Sequence, residues 1–367
     1  SVHAFAQSIV GPMYLGFLAL VLAGGFGLIV WRMNRLHAEG EIDDPLSRET
    51  AFLGNNILFL ALTFAVLLGT IYPLLAEALS GARVSVGGPF FRRTTIPVAL
   101  MLIVLMGAGP LLPWRRASAR LLRSRFTAPL WAAVAIVGVL VAAGMRNVAA
   151  TVAFGAAGFA LAGIVERFWT GTRGVMRTDG SGPLASLLTL TRRNRRLYGG
   201  LVVHAGVVIA AVAITTSSSF ASVREATLRQ GEGVDIAGYE LRYAGAQQVQ
   251  QPHRRVLVAT FDVLRDGEKV GALRPSLNFY PASEQPVGSP ALRVGAASDL
   301  YASLMAVDDE GRTATLRAFH NPGVVWLWVG GAVMAAGTLV AGWPARRRRR
   351  STLDAPEPEP VLVGEQP

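Results

Sequence analysis

Residues 199–215 read Gly-Gly-Leu-Val-Val-His-Ala-Gly-Val-Val-Ile-Ala-Ala-Val-Ala-Ile-Thr, an apolar run in which His204 is the one ionisable side chain. An α-helix rises about 1.5 Å per residue, so about twenty apolar residues cross the roughly 30 Å hydrocarbon core of a bilayer. This run is near that length. The stretch therefore predicts a transmembrane helix with a histidine inside it.

Six further segments have the same character and predict six more spans. They are residues 11–31, 57–76, 96–112, 128–145, 148–165 and 324–343. The fourth and fifth spans in chain order are separated only by Arg146 and Asn147. If both cross the membrane, they must form a tight helical hairpin.

The composition agrees with a membrane protein. Apolar residues make up 51% of the chain and charged residues only 16%, a balance that a soluble domain with a polar surface rarely shows. Cysteine is absent, which excludes disulfides, thiolate metal sites and a thiol nucleophile within this sequence. Ser1 is not followed by a basic segment and a short apolar stretch, so no signal peptide is predicted.

The net charge of +11 is carried almost wholly by arginine, in short clusters between the apolar runs. This distribution does not form one basic face of a soluble domain, so nucleic acid is not expected as a partner. Three clusters fall on the same side of seven spans: residues 115–125, 192–196 and 346–350. Cytoplasmic loops are rich in Lys and Arg. The clusters therefore predict an external N-terminus and an external segment between the last two spans.

That external segment has a different pattern. Tyr239, Leu241 and Tyr243 alternate with charged residues, which is typical of a half-buried strand. Residues 256–264 run into Asp266-Gly267, a dipeptide suited to a two-residue hairpin turn, and residues 270–273 return. A last alternating run covers residues 313–319. The pattern predicts a small antiparallel β domain.

The predicted fold is thus mainly α: a polytopic membrane helix bundle of about seven spans, with one small extracytoplasmic antiparallel β domain between the last two spans. Residues 1–216 form the bundle of about six spans, and residues 217–322 form the β-rich domain. Residues 323–345 form the last transmembrane helix. Residues 346–367 are expected to be a basic and then disordered cytoplasmic tail.

Two histidines are candidates for binding chemistry. His204 lies inside a span, where an ionisable group is costly unless it is paired or coordinated; the alternative is a neutral imidazole hydrogen-bonded to a neighbouring helix. Gly200 and Gly206 leave room for a large flat ligand, although glycine also serves close helix packing. His3 precedes the first span and, taken alone, is an interfacial histidine. Two histidines without a cysteine or carboxylate cluster fit haem iron better than zinc.

Other polar residues have more ordinary explanations. At the mouth of the second span, two asparagines either cap the helix or line a small polar pocket together with an arginine and a glutamate: Asn55, Asn56, Arg48 and Glu49. Three histidines are expected to lie in solvated loops: His37, His253 and His320. The sequence contains no phosphate-binding glycine loop and no convincing Ser-His-Asp set.

Several strings, taken together, resemble the C-terminal half of CcmF, the haem lyase subunit of the cytochrome c maturation system. They are Ser1-Val-His-Ala-Phe, Ser47-Arg-Glu-Thr-Ala-Phe-Leu-Gly-Asn-Asn56, Gly69-Thr-Ile-Tyr-Pro-Leu-Leu-Ala-Glu-Ala78, Val86-Gly-Gly-Pro-Phe-Phe91, Met106-Gly-Ala-Gly-Pro-Leu-Leu-Pro-Trp-Arg115, Asn194-Arg-Arg-Leu-Tyr-Gly-Gly200 running to His204, and Asp299-Leu-Tyr301. The resemblance covers nearly the whole chain except the tail.

The resemblance implies a role in attaching haem to the two thiols of a Cys-x-x-Cys-His motif in apocytochrome c, outside the bacterial inner membrane. His3 matches the family's second external histidine, which helps to ligate haem delivered by the chaperone CcmE. His204 matches the second of two membrane histidines that hold haem b. Further partners implied are the N-terminal half of the lyase, CcmH, CcmI and membrane lipid.

In that family the tryptophan-rich segment, the first external histidine and the first membrane histidine lie upstream of the position of Ser1. The resemblance therefore implies either a fragment of a longer polypeptide or one subunit of a split lyase, with neither haem site formed by this chain alone. The family pattern suggests a basic residue before Phe279-Tyr280, where this sequence has Leu277-Asn278. Two other classes of function remain: a haem-free scaffold for cytochrome assembly, and a transporter of haem or lipid.

Overall fold

The computed structural model describes residues 10–36, 43–82, 84–281, 285–308 and 310–344. Within these ranges the chain forms eight α-helices and ten β-strands. The helices are α1 (Val10–Arg32), α2 (Arg48–Ser80), α3 (Gly88–Ala108), α4 (Ala119–Ala142), α5 (Val148–Asp179), α6 (Pro183–Arg193), α7 (Arg195–Phe220) and α8 (Val324–Gly342). His3, His37 and the tail from residue 345 onward lie outside the described residues.

Seven of these helices, all except α6, are long and apolar enough to cross a membrane. A helix suits this environment because it satisfies its backbone hydrogen bonds internally. Large apolar side chains point away from the bundle, among them Phe17, Leu60 and Val139, each more than half exposed. The prediction of a mainly α bundle of seven spans, with an antiparallel β domain before the last of them, is confirmed.

The helices extend beyond the predicted apolar segments. Helix α2 begins at Arg48, well before residue 57, because the hydroxyl of Ser47 caps it and accepts the N–H of Thr50 at 3.2 Å. Helix α5 continues to Asp179, past the predicted end at residue 165. Hydropathy marks only the part of a helix that lies in hydrocarbon, whereas backbone hydrogen bonding continues into the polar interface.

The predicted hairpin between the fourth and fifth spans is present. Helix α4 ends at Ala142, and Asn147 caps α5 by accepting the N–H of Ala150 at its Oδ1, 3.1 Å away. A Cβ at Gly155 would lie 2.8 Å from the side chain of Val137, so the two helices approach closely. The hairpin rests on this small-residue contact.

The ten strands form a two-sheet β-sandwich between α7 and α8. The first sheet has the order β1-β10-β9-β8, and the second has the order β2-β3-β4-β6-β7 with β5 also paired to β4. All pairs are antiparallel. The strands are β1 (Ser222–Arg229), β2 (Gly233–Ile236), β3 (Tyr239–Gln251), β4 (Arg254–Arg265), β5 (Glu268–Leu273), β6 (Ser276–Phe279), β7 (Val287–Ser289), β8 (Ala291–Arg293), β9 (Ser298–Val307) and β10 (Thr313–Pro322).

The sandwich has its own core, built from the inward side of both sheets. Tyr243 and Phe261 are fully buried at its centre, with ring centroids 5.3 Å apart. The predicted hairpin joins β4 to β5, and both of its turn residues have positive φ: 51° at Asp266 and 82° at Gly267. This is the backbone geometry that makes Asp-Gly a hairpin turn.

Both connections between the sandwich and the bundle are single residues. Ala221 separates α7 from β1, and Gly323 separates β10 from α8. Gly323 adopts φ 78° and its N–H donates to the carbonyl oxygen of Ala297 at 2.9 Å. The sandwich is therefore joined to the membrane bundle through two short connections to neighbouring helices.

A histidine on the open flank of helix α7

Helix α7, which carries His204, is packed tightly against α8. A Cβ at Gly206 would lie 2.6 Å from the carbonyl oxygen of Gly330, and a Cβ at Gly337 would lie 2.6 Å from the amide nitrogen of Val203. These contacts are backbone against backbone, which only small residues permit. Gly206 therefore serves the packing of α7 against α8.

The opposite side of α7 packs against α5. Leu201 and Val208 are buried there, in clusters with Ile164 and Ala160 of α5. Tyr198, also buried, lies with its ring centroid 5.0 Å from that of Phe168. Two of the three sides of α7 are thus occupied by other helices of the chain.

His204 belongs to the third side. Gly200, His204, Val207 and Ala211 recur at intervals of three and four residues, so they share one stripe of the helix. All four are half-buried rather than buried, and a Cβ at Gly200 would meet nothing within 4 Å. The imidazole therefore faces neither packed interface but an open flank of the bundle.

The ring of His204 has an unsatisfied nitrogen. Nδ1 is enclosed and has no hydrogen-bond partner among the described residues, while Nε2 is not enclosed. The alternative interpretation is a neutral imidazole hydrogen-bonded to a neighbouring helix. No described residue forms that hydrogen bond with Nδ1. A histidine nitrogen free of protein partners, beside an open glycine, fits one axial position of a haem iron.

Two apolar cavities lie elsewhere in the bundle. One, of about 210 Å³, is lined by residues of α4 and α5 and, on α7, by Val208 and Val212. The other, of about 580 Å³, runs between α2 and α3. Neither of these two cavities is lined by His204.

The remaining predicted residues are not brought to His204. His3 lies outside the described residues. His253 is exposed in the turn between β3 and β4, as expected. His320 corrects the prediction of a loop: it lies on strand β10, half-buried, opposite Leu300 of β9.

The asparagine pair also differs from its expected role as a helix cap. Because α2 begins at Arg48, Asn55 and Asn56 lie about two turns inside the helix, and the cap is Ser47. Arg48 and Glu49 instead contact the segment after α3. Glu49 accepts the N–H of Arg115 at 3.1 Å, and Arg48 donates to the carbonyl oxygen of Pro110 at 3.0 Å.

Sequence reasoning missed the contribution of α5 to this region. Gly163 of α5 faces the turn after α3, where an added Cβ would lie 3.4 Å from the side chain of Leu111. Arg125 donates to the carbonyl oxygen of Leu111 at 3.0 Å. The signal available in the sequence was Glu166-Arg167 directly after the fifth apolar run, a charged pair inside what becomes one continuous helix.

Asn278 has a structural role in the β domain. It is 3% exposed, and its Nδ2 donates to the carbonyl oxygen of Val287 at 3.1 Å and to the hydroxyl of Ser289 at 2.9 Å. An arginine or lysine here would place a charged group in a buried position, which costs free energy unless that charge is paired. The side chain ties β6 to the edge strand β7.

Comparison with known proteins extends these observations. A family described as CcmF C-terminal beta-sandwich matches residues 219–322. The cytochrome c-type biogenesis protein CycK of Bradyrhizobium diazoefficiens is 33% identical over 98% of this chain and 53% of its own length. The CcmF proteins of Pseudomonas fluorescens and Escherichia coli K12 are 32% and 29% identical, over 95% and 98% of this chain and 51% and 54% of theirs.

The fold matches as well. A solved structure titled "Cytochrome c Heme Lyase CcmF" superposes with a TM-score of 0.70 at 30% identity, covering 91% of this chain and 50% of that one. The chain spans about half the length of the relatives it matches. It is a homologue of the CcmF and CycK cytochrome c-type biogenesis proteins over most of its length, and it shares with CcmF the C-terminal β-sandwich.

Proposed function

We propose that this chain acts in cytochrome c maturation as part of a haem lyase, helping to bind haem and to attach it to apocytochrome c. The names of its relatives and of the matching structure support this role. The proposed partners are the N-terminal half of the lyase, the haem chaperone CcmE, CcmH, CcmI and the apocytochrome. The proposed location is the bacterial inner membrane, with the β-sandwich on the outer side.

The observation that carries the proposal is the orientation of His204. Its imidazole has no hydrogen-bond partner among the residues that the structure describes, and it lies on a flank that neither α5 nor α8 covers. A buried polar group without a partner is costly. Nε2, the ring nitrogen that is not enclosed, is the one that an iron can reach, and we assign His204 as one axial ligand of haem b. His3 is proposed as a ligand for the haem that the chaperone delivers.

Haem bound at His204 would supply an iron centre able to pass an electron. The proposed role of the residues of this chain is to hold and orient the haem. Their proposed part in thioether formation is to keep the haem vinyl groups beside the apocytochrome thiols, because proximity and orientation remove much of the barrier to a two-partner reaction. Addition of a thiol across a vinyl double bond forms the C–S bond, moves the S–H proton to the other vinyl carbon and releases no leaving group; no side chain of this chain is assigned to that proton transfer.

The test is visible spectroscopy of the chain co-purified with the N-terminal half of a CcmF relative. Wild type should show the narrow bands of a six-coordinate, low-spin haem b. His204→Ala should lose them, and added imidazole should restore part of the signal by entering the vacated position.

His253→Ala is the matched control, since it removes an exposed histidine and should leave the spectrum unchanged. His3→Ala should keep the membrane haem and lose cytochrome c production in cells. An unaltered low-spin spectrum in His204→Ala would remove the ligand role, and absence of haem from the wild-type complex would favour the haem-free scaffold.

A further inference from the structure

Three arginines from three different helices converge at one end of the bundle. Arg48 at the start of α2 and Arg125 in α4 donate to consecutive carbonyl oxygens, those of Pro110 and Leu111, each at 3.0 Å. Arg167 lies one helical turn after Gly163 of α5, where an added Cβ would be 3.4 Å from the side chain of Leu111, and its charge is near that of Arg48. The turn that follows α3 therefore holds two guanidinium groups in fixed positions beside a third.

In this arginine cluster (Arg48, Arg125 and Arg167), the described residues do not satisfy all of the guanidinium donors and charges. All three side chains are half-buried, and the Nε atoms of Arg48 and Arg167 are enclosed without a hydrogen-bond acceptor among the described residues. None of the three forms an ion pair with a described carboxylate. Glu49 is nearby, but its two oxygens accept the N–H of Arg115. Enclosed donors are normally hydrogen-bonded, and an oxyanion is the strongest acceptor for a guanidinium group.

The position of the cluster is that of a membrane interface. The indole of Trp114 is 59% exposed, and the guanidinium carbon of Arg48 lies 5.1 Å from its ring centroid. Exposed tryptophan beside arginine is typical of the level of lipid head groups. An anion bound here would sit where lipid phosphates lie.

An apolar groove begins next to the cluster. The end of the groove nearer the cluster is at Ala108. This residue directly precedes the turn in which the carbonyl oxygen of Pro110 accepts a hydrogen bond from Arg48. From there the groove, about 580 Å³ in volume, follows Leu105, Val104 and Met101 of α3 and Gly54 and Leu58 of α2 towards the middle of the membrane. Guanidinium groups at one end and an apolar channel below them match an amphipathic ligand.

We propose that the arginine cluster and this groove form a binding site for an anionic phospholipid, with the phosphate on the three guanidinium groups and an acyl chain in the groove. Arg supplies a planar fork of donors that suits phosphate. The groove distinguishes a lipid from a free phosphate ion, because only the lipid gains from the apolar surface.

The test is native mass spectrometry of the chain in mild detergent, titrated with phosphatidylglycerol, with phosphatidylcholine of the same acyl chains, and with inorganic phosphate. Phosphatidylglycerol should bind about tenfold or more tightly than phosphatidylcholine. The triple variant Arg48→Gln/Arg125→Gln/Arg167→Gln should lose that preference. The triple variant Arg116→Gln/Arg120→Gln/Arg123→Gln removes the same charge from exposed positions nearby and should keep it.

A second variant guards against misfolding of the first. Val104→Phe leaves every arginine in place and narrows the groove, and it should weaken phosphatidylglycerol binding several-fold without changing the melting temperature. Equal affinity for the two lipids would overturn the proposal, as would equal loss in both triple variants. Full competition by millimolar inorganic phosphate would show an ion site and overturn the assignment of the groove.

Discussion

The substitution Gly206→Ala is the sharpest test of how α7 and α8 are held together. The new Cβ would lie 2.6 Å from both the carbonyl oxygen of Gly330 and the Cγ of Met334, which is 0.8 Å short of the 3.4 Å at which ordinary contact begins. Because the carbonyl belongs to the backbone, no side-chain rotation relieves the clash. The helices must separate, and overpacking of this kind costs about 1–3 kcal/mol.

Unfolding of the chain in mixed micelles with increasing denaturing detergent measures that cost. A second readout is available because the wild-type chain has no cysteine. Spin labels at Val139→Cys in α4 and Val249→Cys in β3, both exposed positions, report the distance between bundle and sandwich. In Gly206→Ala this distance distribution should broaden, since the two helices that carry the sandwich no longer pack.

Matched controls lie on the same two helices. Gly200→Ala and Gly331→Ala add the same methyl group where nothing lies within 4 Å, and each should change stability by less than about 0.5 kcal/mol. If Gly206→Ala behaves like these two controls in both measurements, the close glycine contact does not hold the helices together and the reasoning fails.

Three further substitutions test single hydrogen bonds. Burial raises the pKa of Tyr243 above its usual value near 10. The neutral phenol therefore stabilises the sandwich below pH about 10, and this contribution is lost as pH rises through the folded pKa; Tyr243→Phe should lack that added alkaline loss in melts followed by near-ultraviolet circular dichroism. Asn278→Ala leaves the hydroxyl of Ser289 and a carbonyl without their donor and should lower the free energy of unfolding by about 1–3 kcal/mol. Ser47→Ala removes the cap on Thr50 and should cost about 1 kcal/mol, seen as faster hydrogen exchange in the first turn of α2.

The transmembrane architecture was predictable because hydrocarbon excludes charge, so each span leaves a long apolar segment in the sequence. Helix ends were not predictable in the same way. The cap of α2 is Ser47, well outside the apolar segment, and its effect depends on one hydroxyl. The hairpin at Asp266-Gly267 could be recognised because a two-residue turn is a local property. The order of strands in the two sheets depends on contacts between distant parts of the chain and had no local signal.

The two candidate sites differ in the same way: one has a local signal in the sequence and the other does not. His204 could be found from sequence because a single ionisable residue in an apolar run is conspicuous. The arginine cluster could not, since Arg48, Arg125 and Arg167 lie far apart along the chain and meet only after α2, α4 and α5 pack. His320 was assigned to a loop because its neighbours are polar, yet the alternation that begins at Thr313 continues through it.

The single-residue connections on either side of the sandwich have a mechanical consequence. Phe220 lies sixteen residues after His204 in unbroken helix, a rise of about 24 Å at 1.5 Å per residue. No glycine or proline follows Gly206 in that helix. Because α8 packs closely against α7, the two helices form a rigid connection to the sandwich rather than a flexible one. A partner that tilts the sandwich would tilt the imidazole with it, so an event at the outer face can be transmitted to the depth of His204 without any flexible joint.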